Sequence, residues 1–92
     1  MSQATARHIL VDNEALCLDL LEQLKAGAIF AELAMENSNC PSGEAGGDLG
    51  SFAPGMMVPE FDAVVFSADI AVPQGPVKTQ FGWHIVEVTS RD

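Results

Sequence analysis

Val77-Lys78-Thr79-Gln80-Phe81-Gly82-Trp83-His84-Ile85-Val86-Glu87-Val88-Thr89 carries the clearest structural signal in the chain. Val77 to Thr79 and Trp83 to Thr89 are rich in β-branched and aromatic residues, and the short link Gln80 to Gly82 ends on glycine. Together they read as two strands joined by a tight turn. Side chains alternate along a strand, so His84, Val86 and Val88 share one face and Trp83, Ile85 and Glu87 the other.

Upstream, Pro73, Gly75 and Pro76 break the chain, and Pro59 suits the first turn of a helix whose apolar stripe is Phe61, Val64, Val65 and Ala68. Between Gly43 and Gly55 five glycines surround a single strand candidate, Asp48 to Phe52. Phe30, Leu33 and Ala34 mark another short helix that ends between Asn37 and Asn39, before Pro41. Leu16, Cys17, Leu20, Leu21 and Leu24 recur at helical spacing behind an N-cap at Asp12 or Asn13, with Lys25 and Gly27 at the far end. Arg7 to Val11 reads as the first strand, preceded by a polar stretch from Ser2 to Ala6. The order predicts one α+β domain over residues 1–92: a small four-stranded, mainly antiparallel sheet flanked by three to four helices.

Composition narrows the function classes. Thirteen acids against four bases give a net charge of −9. Arg7, Lys25, Lys78 and Arg91 are scattered, whereas nucleic-acid binding requires clustered cations. No apolar run approaches the roughly 18 residues of a membrane span. Two cysteines and no leader-like start are expected of a cytoplasmic, soluble protein with free thiols. Nothing suggests an obligate interface, so a monomer is expected. Histidines and cysteines lack the local spacing of common zinc sites, and the Gly43–Asp48 segment lacks the Lys-Ser/Thr of a phosphate loop, so no metal and no cofactor is expected.

Three sets of residues stand out. His8 shares a strand face with Leu10, and His84 shares one with Val86 and Val88, so the imidazoles meet if both faces point inward. Thr79 is then a hydrogen-bond partner within reach. From spacing alone, the commoner reading is a pair of satisfied core histidines. Cys40 lies in a loop before Pro41-Ser42-Gly43, either incidental or reactive, while Cys17 sits on a helix stripe as a small core residue. Met56, Met57, Phe61 and Phe81 are either the edge of the core or the lining of a shallow pocket.

Six segments together resemble the parvulin family. They are Arg7-His8-Ile9-Leu10-Val11, Phe30-Ala31-Glu32-Leu33-Ala34, Ser38-Asn39-Cys40-Pro41-Ser42-Gly43, Gly46-Gly47-Asp48-Leu49-Gly50-Ser51-Phe52, Gly55-Met56-Met57-Val58-Pro59-Glu60-Phe61, and Gly75-Pro76-Val77-Lys78-Thr79-Gln80-Phe81-Gly82-Trp83-His84-Ile85. In register they are most similar to the minimal single-domain bacterial members. The resemblance implies a cofactor-free, cytoplasmic peptidyl-prolyl cis/trans isomerase that assists folding by acting on proline-containing, unfolded or flexible polypeptides. It implies that His8, His84 and Thr79 form a network and that Cys40 is the active-site cysteine. It also implies that Leu49, Met57 and Phe61 hold the proline ring, with Phe81 beside them. Met56 has no place in that pocket.

Two departures bear on specificity. Phospho-specific members carry a basic loop after the first strand, where this chain has Val11-Asp12-Asn13-Glu14, whose acids repel a phosphate dianion. Asn39 precedes the cysteine where some branches have aspartate. Two rival readings remain at this stage: a Cys/His thiol hydrolase built on Cys40, and a polypeptide-binding chaperone module that uses the same groove without catalysis.

Overall fold

The computed structural model describes residues 3–91, so Met1, Ser2 and Asp92 lie outside the described residues. Four strands form one sheet: β1 (Ala4–Val11), β2 (Asp48–Phe52), β3 (Gln74–Thr79) and β4 (Gly82–Arg91). Their spatial order is β2-β1-β4-β3, and every described pairing is antiparallel rather than only most of them. Three α-helices accompany it: α1 (Glu14–Lys25), α2 (Phe30–Asn37) and α3 (Pro59–Val65).

The α1 boundaries follow from local chemistry. The Asn13 side chain accepts the Leu16 N–H at 2.7 Å, Glu14 occupies the first turn and Lys25 the last. Its stripe of Cys17, Leu20 and Leu21 packs with Phe30, Leu33 and Ala34 of α2 against Ile9, Val11 and Ile85. On the opposite sheet face, Phe61 and Val65 of α3 pack with Phe52 against Ala4, Ala6, Val86 and Val88. The sheet is therefore covered on both faces, with α1 and α2 on one and α3 on the other. Arg7 and Glu87 are direct cross-strand partners, and their ion pair lies on the α1/α2 side with the guanidinium over the Phe30 ring.

Several boundaries differ from the sequence expectation, among them the end of β4, which runs to Arg91 rather than Thr89. β1 begins at Ala4 rather than Arg7, because Ala4 and Ala6 are buried in the core beside Phe52 and both pair with β4, Ala4 with β2 as well, which overrides their weak strand propensity. β3 begins at Gln74, so Pro76 lies within a strand; the strand is a sheet edge, and its register shifts between Gln74 and Val77. The turn itself is two residues long, since Thr79 pairs with Gly82. α3 stops at Val65, and Ala68 belongs to the following turn, where its N–H donates to the Val64 carbonyl at 2.8 Å. The glycine-rich segment also holds a 3-10 turn, Pro41–Ala45, that no periodic pattern announces.

Gly47 closes that segment onto β1. Its φ is +87°, its carbonyl accepts the His8 N–H at 3.0 Å, and a Cβ there would lie 2.3 Å from the His8 carbonyl oxygen. Gly47→Ala is expected to destabilise by about 3 kcal/mol or more, because strain and a backbone clash combine. Gly50, at φ +72° with nothing near its Cβ, is the control. Gly50→Ala should cost only about 1–2 kcal/mol. Equal shifts in thermal unfolding would show that close approach at Gly47 is not what matters.

Candidate active site

β1 and β4 are neighbours with Leu10 opposite His84 and His8 opposite Val86. This register sets the two imidazoles diagonally across one strand pair, both on the α3 face. Their Nδ1 atoms are 3.1 Å apart, and the rings lie 17° from parallel with centroids 5.3 Å apart. Thr79, on the adjacent β3, places Oγ1 2.7 Å from His84 Nε2 and also accepts the Phe81 N–H at 3.2 Å. At the other end His8 Nε2 meets Ser42 Oγ at 3.1 Å. Phe61 stands edge-on to both imidazoles, at 5.6 Å from each centroid.

Burial sets the charge of this pair. His8 and His84 are almost fully enclosed. Loss of hydration and then the neighbouring His84 ring push the His8 pKa down to about 4, and burial lowers His84 as well. Both rings are therefore neutral at pH 7, and one proton is enough to join them.

Above the histidines lies an open groove of about 390 Å³. His8, His84 and Phe61 form its base, Leu10, Leu49, Met57 and Val58 its apolar walls, and Phe81, 62% exposed, its rim. Asn39, Cys40 and Pro41 line the remaining side. That side is tied to β1, since the Asn39 N–H donates to the Leu10 carbonyl at 2.7 Å and the Leu10 N–H to Ser38 Oγ at 3.1 Å.

All eight residues singled out from the sequence, His8, Cys40, Leu49, Met57, Phe61, Thr79, Phe81 and His84, meet here; Thr79 stands behind His84 rather than in the groove wall. Met56 is exposed and outside the groove, and Cys17 is buried in the other core, where its thiol donates to the His84 carbonyl. Burial and Glu14 push that thiol up to about 11, so it stays protonated. Leu10, Val58, Asn39 and Pro41 were missed as lining residues. Leu10 was legible, because it shares the His8 strand face. Ser42 was missed as a histidine partner, and no local pattern could have found a bond spanning 34 positions.

The arrangement does not suit a thiol hydrolase. Among the described residues no hydrogen bond joins the Cys40 thiol to either imidazole, and all four ring nitrogens already have partners. Nor do the described residues contain a cluster of three or more His, Cys, Asp or Glu able to hold a metal ion. None of their helices is long and apolar enough to cross a membrane.

Comparison with known proteins places this geometry. The family model described as the PPIC-type PPIASE domain matches residues 1–92. Foldase protein PrsA of Halalkalibacterium halodurans is 47% identical over 90 residues, covering 97% of this chain and 27% of that protein. Chaperone SurA of Aromatoleum aromaticum is 38% identical over 100 residues, covering 99% of this chain and 23% of that protein. The chain thus spans about a quarter of the length of these curated relatives. Among solved structures, NmPin, the parvulin of Nitrosopumilus maritimus, superposes with a TM-score of 0.87 at 34% identity, covering 98% of both chains. With a matching family model along its whole length and a single-domain relative covered almost end to end, the chain belongs to the PPIC-type peptidyl-prolyl isomerase domain family, the parvulins.

Proposed function

We propose that this chain accelerates cis/trans isomerisation of X-Pro bonds in unfolded or flexible polypeptides, without a covalent intermediate or cofactor, and so assists folding. The observation that carries the reading is the apolar groove whose base is a neutral histidine pair braced by Phe61. An X-Pro bond resists rotation with a barrier of about 18–20 kcal/mol, because twisting it breaks amide resonance. A catalyst must therefore bind the twisted amide better than either planar form. Leu49, Met57 and Phe61 grip the proline ring and exclude water, while the chain on its N-terminal side rotates past Phe81. Cys40 and the histidines face the rotating carbonyl as fixed, poorly hydrated neighbours, favouring the state in which amide conjugation is lost.

The bases support a substrate without phosphate. Arg7 is paired to Glu87, Lys78 lies over the Trp83 ring, and Arg91 donates to the Val65 and Ala68 carbonyls; none of the four bases lines the groove. Free thiols at Cys17 and Cys40 suit the reducing cytoplasm.

A protease-coupled X-Pro peptide assay, together with proline-limited refolding of a second protein, tests the reading. Rate enhancement at micromolar protein supports it. Saturable peptide binding with no acceleration would instead identify a polypeptide-binding module. Within the same assay, Cys40→Ser is expected to stay within about tenfold of wild-type kcat/KM, the scale of one altered polar contact. A covalent nucleophile's loss costs several orders of magnitude, so a collapse of that size in a folded Cys40→Ser protein would refute the non-covalent role.

A further inference from the structure

The hydrogen-bond partners around the histidines determine which way their protons point. Thr79 is buried, and its Oγ1 has two partners among the described residues, the Phe81 N–H and His84 Nε2. The amide can only donate. The Thr79 hydroxyl proton therefore has one acceptor open to it, His84 Nε2, and would otherwise be buried unsatisfied. With Nε2 accepting, neutral His84 carries its proton on Nδ1 and donates it to His8 Nδ1. His8 in turn carries its proton on Nε2 and donates it to Ser42 Oγ. Ser42 is only half buried, so its own hydroxyl proton can go to water. The reverse polarity satisfies every bond except the Thr79 proton.

We propose that Ser42 is a positioning residue: it terminates a one-way array running from the Phe81 amide through Thr79, His84 and His8, and so holds the His8 ring in the groove base. The array joins two sides of the groove, the β3–β4 turn that carries Phe81 and the segment that carries Cys40. Ser42 sits two residues beyond Cys40, and its carbonyl accepts the Gly47 N–H at 2.8 Å, which anchors the hydroxyl independently of the side chain's own bond. Only its kinetic consequence rests on the isomerase reading above; the proton positions do not.

The test uses the whole chain as wild type, Ser42→Ala and Ser42→Thr. Two-bond proton–nitrogen correlation of the imidazoles at pH 7.5 should show His84 protonated at Nδ1 and His8 at Nε2. In Ser42→Ala the His84 Nδ1 proton should move upfield and exchange faster with water, as the His8 ring loses its anchor. In the peptide assay kcat should fall about fivefold, the scale of one hydrogen bond, with KM little changed because the apolar walls are intact. Ser42→Thr, which keeps the hydroxyl, should restore both readouts. Reversed tautomers in wild type, or a Ser42→Ala protein with unchanged proton signal and kcat, would overturn the proposal. Wild-type protein with the expected tautomers but no isomerase activity would uphold the array and sink the isomerase reading instead.

Discussion

Phe61→Ala is expected to lose about 100-fold or more in kcat/KM, measured on protein kept cold enough to remain folded. The ring is 3% exposed, braces both imidazoles and forms part of the groove base, so its removal opens the base and frees the histidines together. A loss of about 3 kcal/mol in transition-state contacts corresponds to that factor. Stability falls as well, because truncating a buried phenylalanine costs about 3–5 kcal/mol and a 92-residue domain has little to spare. The melting temperature should drop by roughly 12 °C or more. Phe61→Leu separates the two effects, since it keeps much of the buried volume but loses the flat ring. It should unfold close to wild type and still lose about tenfold in kcat/KM. Full activity in folded Phe61→Leu and Phe61→Ala would remove Phe61 from the site.

Stability should fall steadily from pH 6.5 to pH 5, and the two histidines account for the fall. In the unfolded chain a histidine takes up its proton near pH 6.5. In the folded chain His8 does so only near pH 4, and His84 is also shifted downward. As pH drops through this window the unfolded state binds protons that the native state does not, so equilibrium moves toward unfolding. Above about pH 7.5 both states hold the rings neutral and stability is flat. For His8 the loss between pH 6.5 and 5 is about 1–2 kcal/mol, with a further loss in the same direction from His84. Histidine is the side chain that ordinarily titrates in this window, and the chain has 2 of them, so substituting them assigns the slope. Urea unfolding at half-unit pH steps measures it, and His8→Asn, which does not titrate, should remove part of the slope. Catalysis should persist to pH 5 as far as it depends on His8, which stays neutral in folded protein down to that pH. A stability profile flat from pH 7 to pH 5 would mean that the rings are hydrated and ordinary.

Helix α1 and strand β2 were readable as local objects. Asn13, Glu14 and Lys25 mark the ends of α1, and the glycines between Gly43 and Gly55 leave Asp48–Phe52 as the strand candidate of that segment. The starts of β1 and β3 were not readable, because Ala4, Ala6, Gly75 and Pro76 have no preference for strand. Their conformation is imposed by the strands beside them. The pocket residues Leu49, Met57, Phe61 and Phe81 carried a pattern equally suited to a core edge, and family resemblance, rather than periodicity, singled them out.

By itself the sequence determined the element order, the faces on which His8 and His84 lie, and the absence of a basic loop after the first strand. Each of these depends on neighbours in the chain: alternation, capping and charge are local properties. The tertiary structure alone decided that the imidazoles touch, because the contact depends on Leu10 pairing with His84 rather than with a residue one position away. A slip of one residue would turn one ring to the opposite face. It alone brought Ser42 to His8 and set Phe61 beneath both rings. Those contacts arise when separate segments settle over one sheet face, and no local pattern encodes that distance.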